Sequence, residues 1–247
     1  MKNIIYKFKI YGFKKIIIFA FAEIKNRLLM QLIYKSFSQK GEDIMIDKIL
    51  GNKKIGCYID IGANDPHRFS NTKRFYNRGW TGVNIEPDPK CYQKLVNNRK
   101  RDINLNLGIG DIEANLTFYK LIPDTLSTFS KVEFDNCIKQ GYKLNEVISV
   151  DVIKLQEIFK KYFINKTVDF LTIDTEGFDM QVLQGNNWSK YRPTLICIES
   201  INHGYSDGNT EKSDSIEKYL NNVSYNKIFD NKLNSIYINI IKDSSLK

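Results

Sequence analysis

A chain of 247 residues, 42% hydrophobic and 13% aromatic, is long enough for one substantial core and too apolar to be a disordered segment. Four cysteines without a C-x-x-C pair, and only two histidines, argue against a structural zinc site and suit a reducing, cytoplasmic setting. Most of the net charge of +9 is lodged in residues 1–36, where eight basic side chains face Glu23 alone, giving +7; the rest is close to neutral, which argues against a nucleic-acid partner.

Residues 1–37 read as a basic N-terminal arm and 38–247 as the main domain. Within the arm, the seven apolar residues IIIFAFA (16–22) follow two lysines. They are too few to span a bilayer and short for the apolar part of a secretory signal. The segment suits an amphipathic helix that packs on the body, joins a second copy as a homodimer, or lies on an anionic membrane surface.

Beyond the arm, apolar runs at Cys57–Ile61, 82–85, 103–107, Phe170–Ile173, Leu195–Glu199, 227–229 and 235–240 read as strands. Helix-like segments at 71–77 and 90–98 separate the first three. This alternation predicts βαβ units and a parallel sheet. A short extra strand at 116–121 and a loop-rich excursion over 122–147 interrupt it. The last two runs, joined by Asp230-Asn231-Lys232-Leu233-Asn234, read as an antiparallel hairpin closing one edge. A dehydrogenase sheet would instead continue as βαβ.

Ligands of such sheets bind beyond the carboxyl ends of the strands, so the chemistry is sought there. The first strand ends in Asp60-Ile61-Gly62-Ala63-Asn64, with one glycine where a diphosphate loop carries several. Asp60 can accept hydrogen bonds from an ammonium group, and Gly62 lets the backbone turn closely past a ligand. Glu86 ends the second strand, twenty-four residues after Gly62, near the spacing of ~20 at which an acid takes a ribose diol. Asp88 is the better cap for the helix that follows. The third strand leads to GIGD (108–111), where an adenine edge could lie. The fourth and fifth end at Asp174, with Glu176 beyond it, and at Glu199-Ser200, with His203 close behind. Carboxylates at neighbouring strand ends should share a proton, a cation or a substrate hydroxyl.

These stretches resemble a class I S-adenosylmethionine-dependent methyltransferase of the FkbM type. The matching pieces are SQKGED (38–43), YIDIGANDP (58–66), RGWTGVNIEPDP (78–89) and DFLTIDTEGFDMQVLQG (169–185), in the expected order. The resemblance implies an α/β, Rossmann-like sheet of seven mostly parallel strands. It implies O-methylation of a sugar or nucleotide-linked sugar, in surface polysaccharide or glycoside biosynthesis. By position, Asp60, Gly62 and Asn64 would meet the methionine part of the cofactor and Glu86 the ribose hydroxyls. Gly110 and Asp111 would lie near adenine, and Ser38 and Gln39 would close over the methionine end. Pro66 departs from the pattern, since many related loops place a glycine there. A sugar hydroxyl is a poor acid and needs a base or a metal. His203 is the expected base, with Asp174 as the alternative. Asp174 and Glu199 offer the oxygen ligands that Mg²⁺ prefers.

Three other readings compete. Glu86 would also suit the ribose of NAD in an oxidoreductase, but the missing glycines speak against it. A non-catalytic scaffold that uses the arm to reach a membrane or partner would not need acids at four strand ends. A nucleic-acid methyltransferase often carries an N/D-P-P-Y loop after the fourth strand, where this chain has Asp174-Thr175-Glu176-Gly177.

Overall fold

The computed structural model describes residues 33–200 and 211–241. In chain order the elements are α1 (Glu42–Ile49), β1 (Cys57–Ile61), α2 (Lys73–Arg78), β2 (Thr81–Ile85), α3 (Pro89–Asn98), β3 (Ile103–Leu105), β4 (Gly108–Gly110) and β5 (Ala114–Ile122). There follow a 3₁₀ turn (Asp124–Leu126), α4 (Lys131–Lys139), β6 (Lys143–Lys154), α5 (Leu155–Tyr162), β7 (Phe170–Ile173) and α6 (Asp179–Gln184). The chain closes with β8 (Leu195–Glu199), α7 (Glu211–Asn222), β9 (Tyr225–Asp230) and β10 (Asn234–Asn239).

Seven strands form the main sheet in the order β3-β2-β1-β7-β8-β10-β9. Neighbours from β3 to β8 run parallel, and β10 pairs antiparallel with both β8 and β9. The expected antiparallel hairpin is therefore present at the edge. Strands β1, β7 and β8 are buried on both faces, which is why they read as apolar runs without polar alternation. Successive side chains still point to opposite faces. Ile59, Ile61, Leu171, Ile173, Ile196 and Ile198 pack on one side with Ile158 of α5 and Leu220 of α7. Tyr58, Phe170 and Cys197 pack on the other with Phe75, Trp80 and Ile46. Asp88 caps α3 by accepting the N–H of Lys90 at 2.8 Å, with Pro89 at the first helical position.

The chain crosses from β1 to β2 and β3 on one side and returns to β7 and β8 on the other. The switch point lies between β1 and β7, where a crevice opens beyond the strand ends. The sheet registers bring those ends level: Ile61 pairs with Ile85 and Ile173, and Ile173 with Ile198.

Two expectations are corrected. The run at 103–107 is shorter as a strand, because Leu105 ends β3 and the chain turns into β4 of a second sheet. The 122–147 excursion is not loop-rich: it holds the 3₁₀ turn, α4 and the start of the twelve-residue β6. That strand pairs antiparallel with β5 and parallel with β4, in the order β4-β6-β5. Its outer half is largely exposed, so its lysine, asparagine and glutamate disguise the strand as a loop. Among the described residues, no helix is long and apolar enough to cross a membrane. Apart from residues 33–37, the N-terminal arm lies outside the described residues.

Candidate active site

The level strand ends open onto one cleft of about 200 Å³, lined by Asp60, Gly62, Asn64, Glu86, Asp174 and Glu199, with Gln39 at its rim. Glu86 is buried, and each of its oxygens is fixed from the backbone. Oε2 accepts the N–H of Asn64 at 2.8 Å and Oε1 the N–H of Asp88 at 2.8 Å. Burial pushes its carboxyl up to about 7, against the pull of those two N–H groups. Asn64 reaches this geometry with a left-handed φ of 42°. Asp60, 6% exposed, accepts the hydroxyl of Thr72 at 2.7 Å. Burial raises it to about 6, opposed by the Thr72 bond and the nearby Arg99.

Gly62 serves the frame more than the ligand. Its φ is +79°, and a Cβ there would lie 1.8 Å from the carbonyl oxygen of Asp174. The glycine lets the ends of β1 and β7 close on each other, which places Asp60 and Asp174 in the same crevice. Beyond β7, Asp179 clamps the turn: Oδ1 accepts the N–H and hydroxyl of Thr175 at 3.0 and 2.9 Å, and Oδ2 the N–H of Gly177 at 3.3 Å. That turn presents Glu176. Asp174, Glu176 and Glu199 each bring a carboxylate oxygen within 4.8 Å of the others, a donor set that suits a hard divalent cation.

Pro66 is tied down from below. The buried Arg99 donates Nε to the Pro66 carbonyl at 3.0 Å and a terminal nitrogen to Ser70 Oγ at 2.8 Å, while Asp65 accepts the N–H groups of His67 and Arg68.

Other expected residues lie elsewhere. Gly110 and Asp111 are not among the residues lining the cleft; Leu107, Gly108 and Ile109 line it instead. Gly110 faces Val152 and Phe178, and Asp111 follows directly after β4. Ser38 donates to Asp43 Oδ1 at 2.8 Å and braces α1, leaving Gln39 at the cleft. His203 lies outside the described residues. Sequence reasoning missed Asn71, whose amide donates to Thr172 at 3.0 Å, and the wall formed by Asp124, Leu126 and Phe129. The wall residues carry no local signal, since only the crossing from β5 to α4 brings them to the cleft.

An acid held by two N–H groups at the second strand end, a buried acid at the first and a turn with one glycine fit a nucleoside joined to an amino acid. A carboxylate has about four acceptor positions, and the protein bonds to Asp60 and Glu86 leave capacity for a diol or ammonium donor. The methyltransferase FkbM domain model matches residues 60–227, which is more than half of the chain. The chain belongs to the FkbM methyltransferase family. This membership removes the dehydrogenase reading. No curated protein sequence matches this FkbM chain. Among solved structures it is similar to the methyltransferase FkbM from Methylobacillus flagellatus KT, at 17% identity and TM-score 0.46, over 75% of this chain and 44% of that one. The chain thus spans less than half the length of that relative. It is also similar to an O-methyltransferase from Bacillus cereus in complex with SAH, at 11% identity and TM-score 0.39, over 88% of this chain and 89% of the other. A 1,6-didemethyltoxoflavin-N1-methyltransferase from Burkholderia thailandensis matches at 8% identity and TM-score 0.39, over 88% and 86% of the two chains.

Proposed function

We propose that this FkbM domain transfers a methyl group from S-adenosylmethionine to a hydroxyl of a sugar or nucleotide-linked sugar, as in the assembly of a surface polysaccharide or glycoside. The observation that carries the cofactor reading is Glu86, held by the Asn64 and Asp88 N–H groups with its remaining acceptor positions available to a ribose diol. Asp60 and Gln39 would receive the amino-acid end, and Ile85, Leu107 and Ile109 offer an apolar wall for the purine.

When bound, the cofactor supplies a methyl carbon already activated by its sulfonium. The chain therefore has two tasks: to align the acceptor hydroxyl for in-line attack and to take up one proton. His203 would take that proton; Asp174, at the end of β7, is the alternative base only where it does not hold a cation. Asp174 and Glu199, with Glu176, would hold Mg²⁺, which would lower the acceptor's resistance to deprotonation. The apolar stretch of the arm would add a dimer or membrane-surface contact.

The direct test is transfer of radiolabelled methyl from S-adenosylmethionine to a panel of free and nucleotide-linked sugars, with and without exhaustive EDTA treatment. Labelled O-methyl product supports the reading. Transfer only to amine acceptors would overturn the O-methyl assignment, and full activity after EDTA would remove the metal.

A further inference from the structure

The segment 123–130 belongs to no strand of the main sheet, yet five of its residues wall the cleft: Asp124, Thr125, Leu126, Ser127 and Phe129. Its far end is anchored. Thr128 exchanges two backbone hydrogen bonds with Tyr119, at 2.9 and 3.0 Å, and its hydroxyl donates to the Glu176 carbonyl at 2.8 Å. Its near end reaches across to the elements that hold Glu86. Asp124 Oδ1 lies 3.7 Å from Arg68, on the loop after β1, and Oδ2 lies 3.7 Å from Lys94 on α3. The Cys91 thiol of the same helix also points to Oδ2, at 3.7 Å. All three charged side chains are roughly 40% exposed, between 37% and 45%. Ion pairs so exposed are weak, screened by salt and readily broken. Ser127 Oγ also accepts the N–H of Leu121 at 3.0 Å, so the segment is tied to β5, while these exposed ion pairs and the Cys91 thiol join Asp124 to the opposite wall of the cleft.

We infer that Asp124 is a positioning residue that latches the 123–130 strap to Arg68 and Lys94, closing the wall of the cleft beside Glu86 over bound ligand. This rests on the reading of the cleft as the S-adenosylmethionine site. The latch does no chemistry; it sets how fast ligand leaves.

The test is stopped-flow dissociation of S-adenosylhomocysteine from the full chain, comparing wild type, Asp124→Asn, the pair Arg68→Gln with Lys94→Gln, and all three changes together. The latch predicts an off-rate raised about fivefold in Asp124→Asn and in the double variant. The triple variant should add nothing further, because both sides of one interaction are already removed. The wild-type off-rate should climb with ionic strength, and that climb should be lost in Asp124→Asn; a merely structural role would leave the salt dependence intact. An unchanged off-rate in Asp124→Asn overturns the latch alone. So does a rise in Asp124→Asn that the double variant fails to reproduce, since Asp124 would then touch the ligand directly. Failure of the wild-type chain to bind S-adenosylhomocysteine at all overturns the reading of the cleft, and the latch with it.

Discussion

Glu86 accepts two backbone N–H bonds, yet burial still lifts its carboxyl to about 7, and Asp60 beside it rises to about 6. Both groups keep their protons in the folded chain at pH values where the unfolded chain has lost them. Their contribution to stability is thus fully present below the unfolded values of 4.5 and 3.8 and is lost as pH climbs through about 7 and about 6. In the ligand-free protein, Glu86→Gln should therefore melt a few degrees higher than wild type near pH 8, with the gap closing near pH 5. Differential scanning fluorimetry reads this, and equal melting temperatures near pH 8 would mean that Glu86 is not strained by its burial. Ligand binding runs the other way, because a diol or ammonium donor needs the ionised acid. Affinity for S-adenosylhomocysteine should weaken as pH falls from about 8 to about 6; calorimetric titrations showing a flat profile would dissociate the two carboxylates from binding.

At the scale of elements, the turns after β1 and β7 hold each other in place. Gly62 combines a left-handed φ with a Cβ position 1.8 Å from the Asp174 carbonyl, so Gly62→Ala meets both backbone strain and a backbone clash. Urea unfolding should show a loss of about 2–4 kcal/mol with an unchanged m-value, and a midpoint within error of wild type would contradict the close approach. The strands that frame these turns were legible because they are buried on both faces: Cys57–Ile61, Phe170–Ile173 and Leu195–Glu199 run as the apolar pattern predicts. Strand β6 was not, since its exposed outer half carries Lys143, Asn145 and Glu146 among Leu144 and Val147. The same lapse hid Asp124 and Phe129, which reach the cleft only because β5 and β6 pair and throw the intervening strap across it.

At the scale of the whole molecule, one sheet fixes the relation among acids that are far apart in the chain. Asp60, Glu86, Asp174 and Glu199 span most of the domain, and the parallel registers of β2, β1, β7 and β8 set them along one edge. The positions of these strand ends could be read from the apolar runs. The exact lining beyond β3 could not, because β4 leaves the main sheet and it is Gly108 and Ile109, not Gly110 and Asp111, that line the cleft. On the proposed reading so few glycines suffice, because S-adenosylmethionine has no diphosphate to cradle and Asp60 with Glu86 would meet donors instead of anions. The measurement that bears most directly on this account is isothermal titration of the full chain with S-adenosylhomocysteine, run beside Asp60→Ala. Wild type should bind one equivalent, and Asp60→Ala should keep the wild-type circular dichroism while giving no binding heat. No binding by wild type, or an affinity unchanged in Asp60→Ala, would contradict the assignment of the cleft.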